Sequence, residues 1–264
     1  MTRASGGLPS ALEHWDELER RLRRGRMAAF LDYDGTLAAI VDRPELAKLS
    51  EPMRAALRAL GEACPTAIVS GRARTDVATR VGLENLYYAG SHGFDIAGPG
   101  GIAFEAEPRL RPRIEAACRE LARAARAIDG AIVEDKRFAA SVHYRLVAEA
   151  EVAHLEAAVD RVVAADPRLR KAHGKKVFEI RPRTDWDKGR AVLWLLEALG
   201  LDGQGVVPVY VGDDETDEDA FSAIRARGIA ILVADSARAT AASYRLRDPG
   251  EVFELLGRLR AVAG

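Results

Sequence analysis

Phe30-Leu31-Asp32-Tyr33-Asp34-Gly35-Thr36-Leu37 decides how the rest of the chain is read, because an apolar run stops abruptly at two carboxylates spaced i, i+2 and a glycine turn follows. The run reads as a strand and its end as a place where acid groups are delivered. Residues two apart in a strand share a side, and a loop just after it lets a side chain and a neighbouring carbonyl converge on one point. Such a point suits a hard cation with oxygen ligands, magnesium first and calcium second. A bare D-x-D-G-T is equally what a solvated surface turn looks like, so the remaining sequence has to decide between the two.

At 264 residues the chain is long enough for one large domain, or for a core with a smaller domain inserted. With 48% hydrophobic residues, 30% charged residues and a net charge of -1, neither disorder nor a broad nucleic-acid surface is expected. A small-molecule partner is the better expectation, with no nucleic acid, no membrane, and nothing that requires more than a monomer. The two cysteines, Cys64 and Cys118, form no C-x-x-C, and the five histidines show no zinc-like spacing with them. A reducing, cytoplasmic setting fits. No apolar run precedes the charged segment 13–26, and none approaches the ~18 residues of a membrane span. Arg20, Arg21, Arg23, Arg24 and Arg26 follow Glu13, Asp16, Glu17 and Glu19, which reads as a solvated helix face.

Taken in order, residues 9–24 read as a polar helix and 27–31 as a strand apolar on both faces, as in a buried parallel sheet. A helix over 51–63 carries Met53, Leu57 and Leu60 on one stripe. A strand over 66–69 then ends in Ser70-Gly71-Arg72, a helix covers 74–81, and a strand over 86–89 ends in Gly90-Ser91-His92-Gly93. From about residue 108 the pattern changes to a helix reaching 128, strands near 131–135 and 138–145, a helix over 149–165 and a strand near 177–181. This predicts an inserted α+β domain at 109–183, punctuated by Gly130, Pro167 and Gly174. Asp187-Lys188-Gly189 opens an apolar helix, and a strand over 206–211 ends in Gly212-Asp213-Asp214-Glu215-Thr216-Asp217. A helix through Phe221 and Ile224, a strand over 229–233, and helices over 236–243 and 249–262 complete the alternation. The fold class is α/β: a Rossmann-like, mostly parallel sheet with helices on both faces, built from 1–108 and 184–264 around the inserted domain.

In open α/β sheets ligands bind beyond the carboxyl ends of the strands. Asp32, Asp34, Ser70, Lys188 and Asp213 all fall at strand tips or in a helix's first turn, so one crevice can collect them. Three carboxylates, a hydroxyl and a lysine describe a site for a divalent cation and a phosphoryl group. Singly, Ser70 could cap a helix, Lys188 could be a surface residue, and 213–219 could be an acidic helix start. A lysine at a helix N-terminus nevertheless opposes the dipole, which favours a specific anionic partner for Lys188. Other chemistries fit less well. Glu218 stands where an EF-hand needs glycine, and neither a P-loop nor a G-x-S-x-G elbow is present.

Taken together, D-x-D-G-T at 32–36, S-G-R at 70–72, Lys188 and G-D-D-x-T-D at 212–217 resemble the four ordered motifs of the haloacid dehalogenase superfamily. Within it, Gly90-Ser91-His92-Gly93, Val133-Glu134-Asp135-Lys136, His143-Tyr144-Arg145 and the segment 174–182 resemble the trehalose-6-phosphate phosphatase family. The resemblance implies a Mg2+-dependent phosphatase acting on a sugar phosphate through an aspartyl-phosphate. It implies Asp32 as nucleophile and Asp34 as general acid and base, with phosphate bound by Ser70, Gly71 and Lys188. The metal would be held by Asp32, the Asp34 carbonyl and Asp213, with Asp214 and Asp217 as outer-shell ligands or lysine partners. It makes the insertion a substrate-selecting cap, hinged near Glu107 and Arg183. Sugar contacts are expected from Glu134, Lys136 and Glu179, supported by Lys175 and Arg145, with His92 and Gly93 on a core loop. Rival readings are a phosphatase for glucosylglycerol, sucrose or mannosylglycerate phosphate, a phosphomutase, and a non-catalytic sugar-phosphate sensor.

Overall fold

The structure is a computed structural model that describes residues 3, 4, 7–41, 46–174, 176–236 and 238–264. Strand Arg26–Leu31 is buried from Met27 onward and lies between Val206–Gly212 and Thr66–Val69, parallel to both. It is thus central in an eight-stranded sheet. From one edge the order is Tyr244–Leu246, Ile229–Val233, Val206–Gly212, Arg26–Leu31, Thr66–Val69, Tyr87–Gly90, Asp95–Ala97 and Ala103–Glu105. The first six strands run parallel, and Asp95–Ala97 turns back antiparallel to Tyr87–Gly90.

Period-2 alternation divides the central strand between two cores. Met27, Ala29 and Leu31 pack with Leu18, Leu57, Leu60, Leu255 and Leu256 on one face, whereas Ala28 and Phe30 pack with Val192, Leu195, Phe221 and Ile224 on the other. Helices Trp15–Leu22, Glu51–Ala63 and Pro249–Ala263 supply the first layer, and Lys188–Ala198 and Asp217–Ile224 the second. Helix starts are fixed by side-chain caps: Ser50 accepts from the Met53 N–H, Asp187 from Arg190 and Asp248 from Glu251.

The chain divides into two compact units, one of residues 1–104 with 186–264 and one of 105–185. The second has its own antiparallel sheet, in the order Ile132–Asp135, Ala140–His143, Val177–Pro182, Leu169–Gly174. Helices Arg111–Ala125 and Glu149–Ala165 close a core of Ile114, Leu121, Val142, Val159, Phe178 and Ile180. At its entry Glu107 adopts a left-handed φ of 47°, a conformation uncommon for a residue with a side chain.

Three expectations are corrected. The first helix occupies only Trp15–Leu22, because the chain before it pairs with another segment: Ala11 N–H donates to the Arg245 carbonyl and Arg245 N–H to that of Pro9. The helix expected over 236–243 does not form. Ala239–Thr240 and Tyr244–Leu246 are strands, and the Ala241 and Ser243 N–H groups go to Glu218 and Ala230 instead of to a helical ladder. Strands Asp95–Ala97, Ala103–Glu105 and Leu169–Gly174 are additional to those expected. Among the described residues no helix is long and apolar enough to cross a membrane.

Candidate active site

The sheet reverses its strand order beside Arg26–Leu31, and both strands flanking this switch end in acid. Asp32 follows Leu31, its N–H donating to the Val211 carbonyl at 2.9 Å, and Asp213 follows Gly212. Carboxylate oxygens of Asp32, Asp213 and Asp217 lie within 4.8 Å of one another. Two glycines make room for them. Gly35 has φ +85°, and a Cβ there would fall on the Asp213 carboxylate; a Cβ at Gly212 would fall on that of Asp217.

Lys188, buried at the start of its helix, sits among these acids. Its Nζ donates to Asp32 Oδ1 at 2.8 Å and to Asp217 Oδ1 at 2.6 Å. Asp217 is fully engaged, since Oδ1 also accepts from the Tyr210 hydroxyl at 2.7 Å and Oδ2 from the Asp213 and Asp214 N–H groups at 2.9 Å each. Asp214 itself is exposed. Burial pushes the Asp32 carboxyl well above its ordinary range against the pull of Lys188, with Asp217 and Asp213 pushing the same way as burial. For Lys188, burial alone would lower the pKa, but Asp217 and Asp32 outweigh it and hold the ammonium above its ordinary range. Among the described residues, Lys188 is the cation that bonds to Asp32 and Asp217 in this cluster of carboxylates.

The phosphate-binding candidates form a braced loop. The Arg72 N–H donates to Ser70 Oγ at 3.2 Å, and the carbonyls of Ser70 and Arg72 accept from His92 and Ser91 N–H at 2.9 and 2.6 Å. Ser91 and His92 have left-handed φ values of 50° and 59°, and each such residue costs about 1–3 kcal/mol unless its surroundings hold it. The buried His92 ring lies where a Cβ on Gly71 would be, 2.7 Å from Cε1. Beside it the Trp186 indole N–H donates to the Gly93 carbonyl at 2.9 Å, and the indole packs on Phe104. Asp34 takes a different partner: Arg72 Nε and Nη2 donate to its two oxygens at 2.7 Å each.

The insertion gathers a second set. Lys136 Nζ and Ser141 Oγ donate to Glu179 Oε1 at 3.0 and 3.2 Å, Arg181 pairs with Glu179 Oε2, and Glu134 Oε2 lies 3.0 Å from His143 Nε2. Arg145 is exposed in the turn after Ala140–His143, and Lys175 lies outside the described residues. Sequence reading missed Tyr210, Ser141 and Arg181. The signal for Tyr210 was present, because a tyrosine inside a strand buried on both faces needs a partner for its hydroxyl.

The parallel α/β sheet, with acid groups at its switch point and a lysine among them, is a fold shared with a haloacid dehalogenase-like hydrolase from Bacteroides thetaiotaomicron (TM-score 0.60, 15% identity, 89% of this chain, 99% of that one). The trehalose-phosphatase profile matches residues 30–250, so the chain belongs to the trehalose-phosphatase family. It is 46% identical over 258 residues to the probable trehalose-phosphate phosphatase 4 of Oryza sativa subsp. japonica, covering 95% of this chain and 70% of the relative. The trehalose 6-phosphate phosphatase RA3 of Zea mays is 44% identical over 268 residues, with 95% and 74% covered. The C-terminal domain of the C. albicans trehalose-6-phosphate phosphatase shares the fold with a TM-score of 0.78 at 20% identity, over 96% of this chain and 98% of that one.

Proposed function

We propose that this protein hydrolyses trehalose 6-phosphate to trehalose and inorganic phosphate, with Mg2+ as cofactor. The observation that carries the reading is the buried cluster of Asp32, Lys188, Asp217 and Asp213 at the tips of two adjacent strands, in a chain of the trehalose-phosphatase family. Asp32 attacks phosphorus in line, and its new bond forms as the bond from phosphorus to the sugar oxygen breaks. Asp34 gives that oxygen a proton, and the sugar departs as the alcohol. Water then attacks the aspartyl-phosphate, Asp34 takes a proton from it, and the bond from Asp32 to phosphorus breaks to release phosphate. Ser70 and the Gly71 N–H hold phosphoryl oxygens, and Lys188 has a third N–H to add to the two spent on Asp32 and Asp217.

The donor set fits a hard divalent cation: three carboxylates with oxygen atoms within 4.8 Å of one another, and a glycine where a side chain would crowd Asp213. Asp32, Asp213 and the Asp34 carbonyl would hold it, and when bound it lowers the repulsion between an anionic nucleophile and a phosphate dianion. Asp217, with both oxygens engaged, acts as the partner that fixes Lys188. The inserted unit carries polar groups suited to sugar hydroxyls, and sugar choice is assigned to Lys136, Glu179 and Glu134.

The test is phosphate release from trehalose 6-phosphate beside glucosylglycerol, sucrose and mannosylglycerate phosphates, each with Mg2+ and with a chelator. Magnesium-dependent release favouring trehalose 6-phosphate is expected, and Asp32→Asn should lose turnover by about 10⁴-fold or more. Preference for another sugar phosphate overturns the substrate assignment, and substantial turnover by Asp32→Asn overturns the nucleophile.

A further inference from the structure

Asp34 is held in an unusual way for a group that must carry protons. Both of its oxygens are taken by one guanidinium, Nε to Oδ2 and Nη2 to Oδ1, each at 2.7 Å. Such a planar fork fixes orientation as well as distance, which a lysine in the same place could not do. The two partners are not equally free. The Arg72 side chain is 7% exposed and that of Asp34 40%. Arg72 Nη1 is tied to Asp76 Oδ2 at 3.0 Å, and its guanidinium carbon lies 5.4 Å from the centre of the Tyr33 ring. Its main chain belongs to the phosphate-binding loop, bonded to Ser70 Oγ and to the Ser91 N–H. The arginine is the fixed jaw, and the aspartate is the part that can turn.

We propose that Arg72 is the positioning residue for Asp34, aiming its carboxylate at the leaving sugar oxygen and then at the attacking water from the loop that grips the phosphate. Ser70 and Arg72 are two residues apart and directly bonded, so one loop sets the place of the phosphoryl group and the direction from which the proton comes. The inference rests on the phosphatase reading given above.

The test separates positioning from general support of the fold by varying the leaving group. Arg72→Lys keeps the charge and loses the fork. Its kcat on trehalose 6-phosphate should fall by about 10²-fold, the lower end for general acid–base catalysis, with KM changed less than about threefold. With p-nitrophenyl phosphate, whose leaving group needs no proton, the first-turnover burst should fall less than about fivefold while the steady state slows, because the second step still needs Asp34. On an Asp34→Asn background Arg72→Lys should add less than about threefold, as expected for two residues acting as one unit. Asp76→Asn loosens the fixed jaw but leaves the fork, and should reproduce the pattern more weakly.

Equal losses on both substrates, in burst and steady state, would overturn the proposal, as would a raised KM with kcat intact or full additivity with Asp34→Asn. If the unaltered protein releases no phosphate from any sugar phosphate, it is the functional reading that fails. An active parent with an evenly impaired Arg72→Lys rejects only the positioning role.

Discussion

The two units each bury a network of charges, and the networks are built to opposite ends. In the first unit, among the described residues, the carboxylates of Asp32, Asp213 and Asp217 gather and Lys188 donates to Asp32 and Asp217. In the second, Glu179 is surrounded by Lys136, Arg181 and Ser141, with Glu134 answered by His143. Burial would lower the Lys136 pKa, but Glu179 and Glu134 outweigh it and hold the ammonium charged. Among the described residues the first network gathers carboxylates about one lysine, and the second pairs its carboxylates with Lys136 and Arg181. Buried ions that are not neutralised locally cost several kcal/mol. A balanced set of donors and acceptors suits an uncharged, hydroxyl-rich ligand, because it can exchange one hydrogen bond for another without stranding a charge.

Removing one lysine from each network should separate them most clearly. Lys188→Met leaves acids without their ammonium and should cost about 3–5 kcal/mol of stability, with turnover lost. Lys136→Met leaves Glu179 with Arg181 and Ser141 and should cost only about 1–3 kcal/mol, raising KM more than it lowers kcat. Urea midpoints and steady-state kinetics on both variants check this, and equal costs would erase the distinction.

Magnesium should be felt by one network alone. At about 100 times its dissociation constant a cation specific to the folded state adds about 2.7 kcal/mol, visible as a rise in melting temperature without substrate. Asp213→Asn should remove most of that rise and Lys136→Met none of it; a rise that survives Asp213→Asn places the ion elsewhere.

The smallest effect concerns Asp76, part-buried between Arg72 and Arg80. Burial alone would raise its pKa, but hydrogen bonds from Arg80 and Arg72 overcome this and lower it. A lowered carboxyl contributes stability that is present above the unfolded value near ~3.9 and lost as pH falls through the folded value. Asp76→Asn should therefore differ from the parent at pH 6 and converge with it in acid, read as urea midpoints against pH. A gap that widens in acid would reverse the sign.

Much of this was legible in the sequence for a plain reason. Runs such as 27–31, 67–69 and 206–211 are apolar on every residue, and their polar tips stand out against them. Strand Leu169–Gly174 hid because Arg170, Lys171 and His173 give it no alternation; Lys171 is answered by Glu156 and Asp160, acids distant in sequence. The segment 236–243 hid for a related reason, its small residues favouring a helix until Glu218 and Ala230 take its N–H groups. At the site, residue types pointed to acids and a lysine. Which oxygen each would occupy was set by packing, as with Tyr210 on Asp217 and Arg72 on Asp34.

Trp186 gives the molecule an optical probe of its own. Its indole is anchored to the Gly93 carbonyl, at the end of the left-handed turn that braces Ser70 and Arg72. Any shift of that turn changes the hydrogen bond and the polarity around the ring, so with Trp15 and Trp194 replaced by phenylalanine the emission colour of this one tryptophan carries a record of the loop's posture, with no label attached.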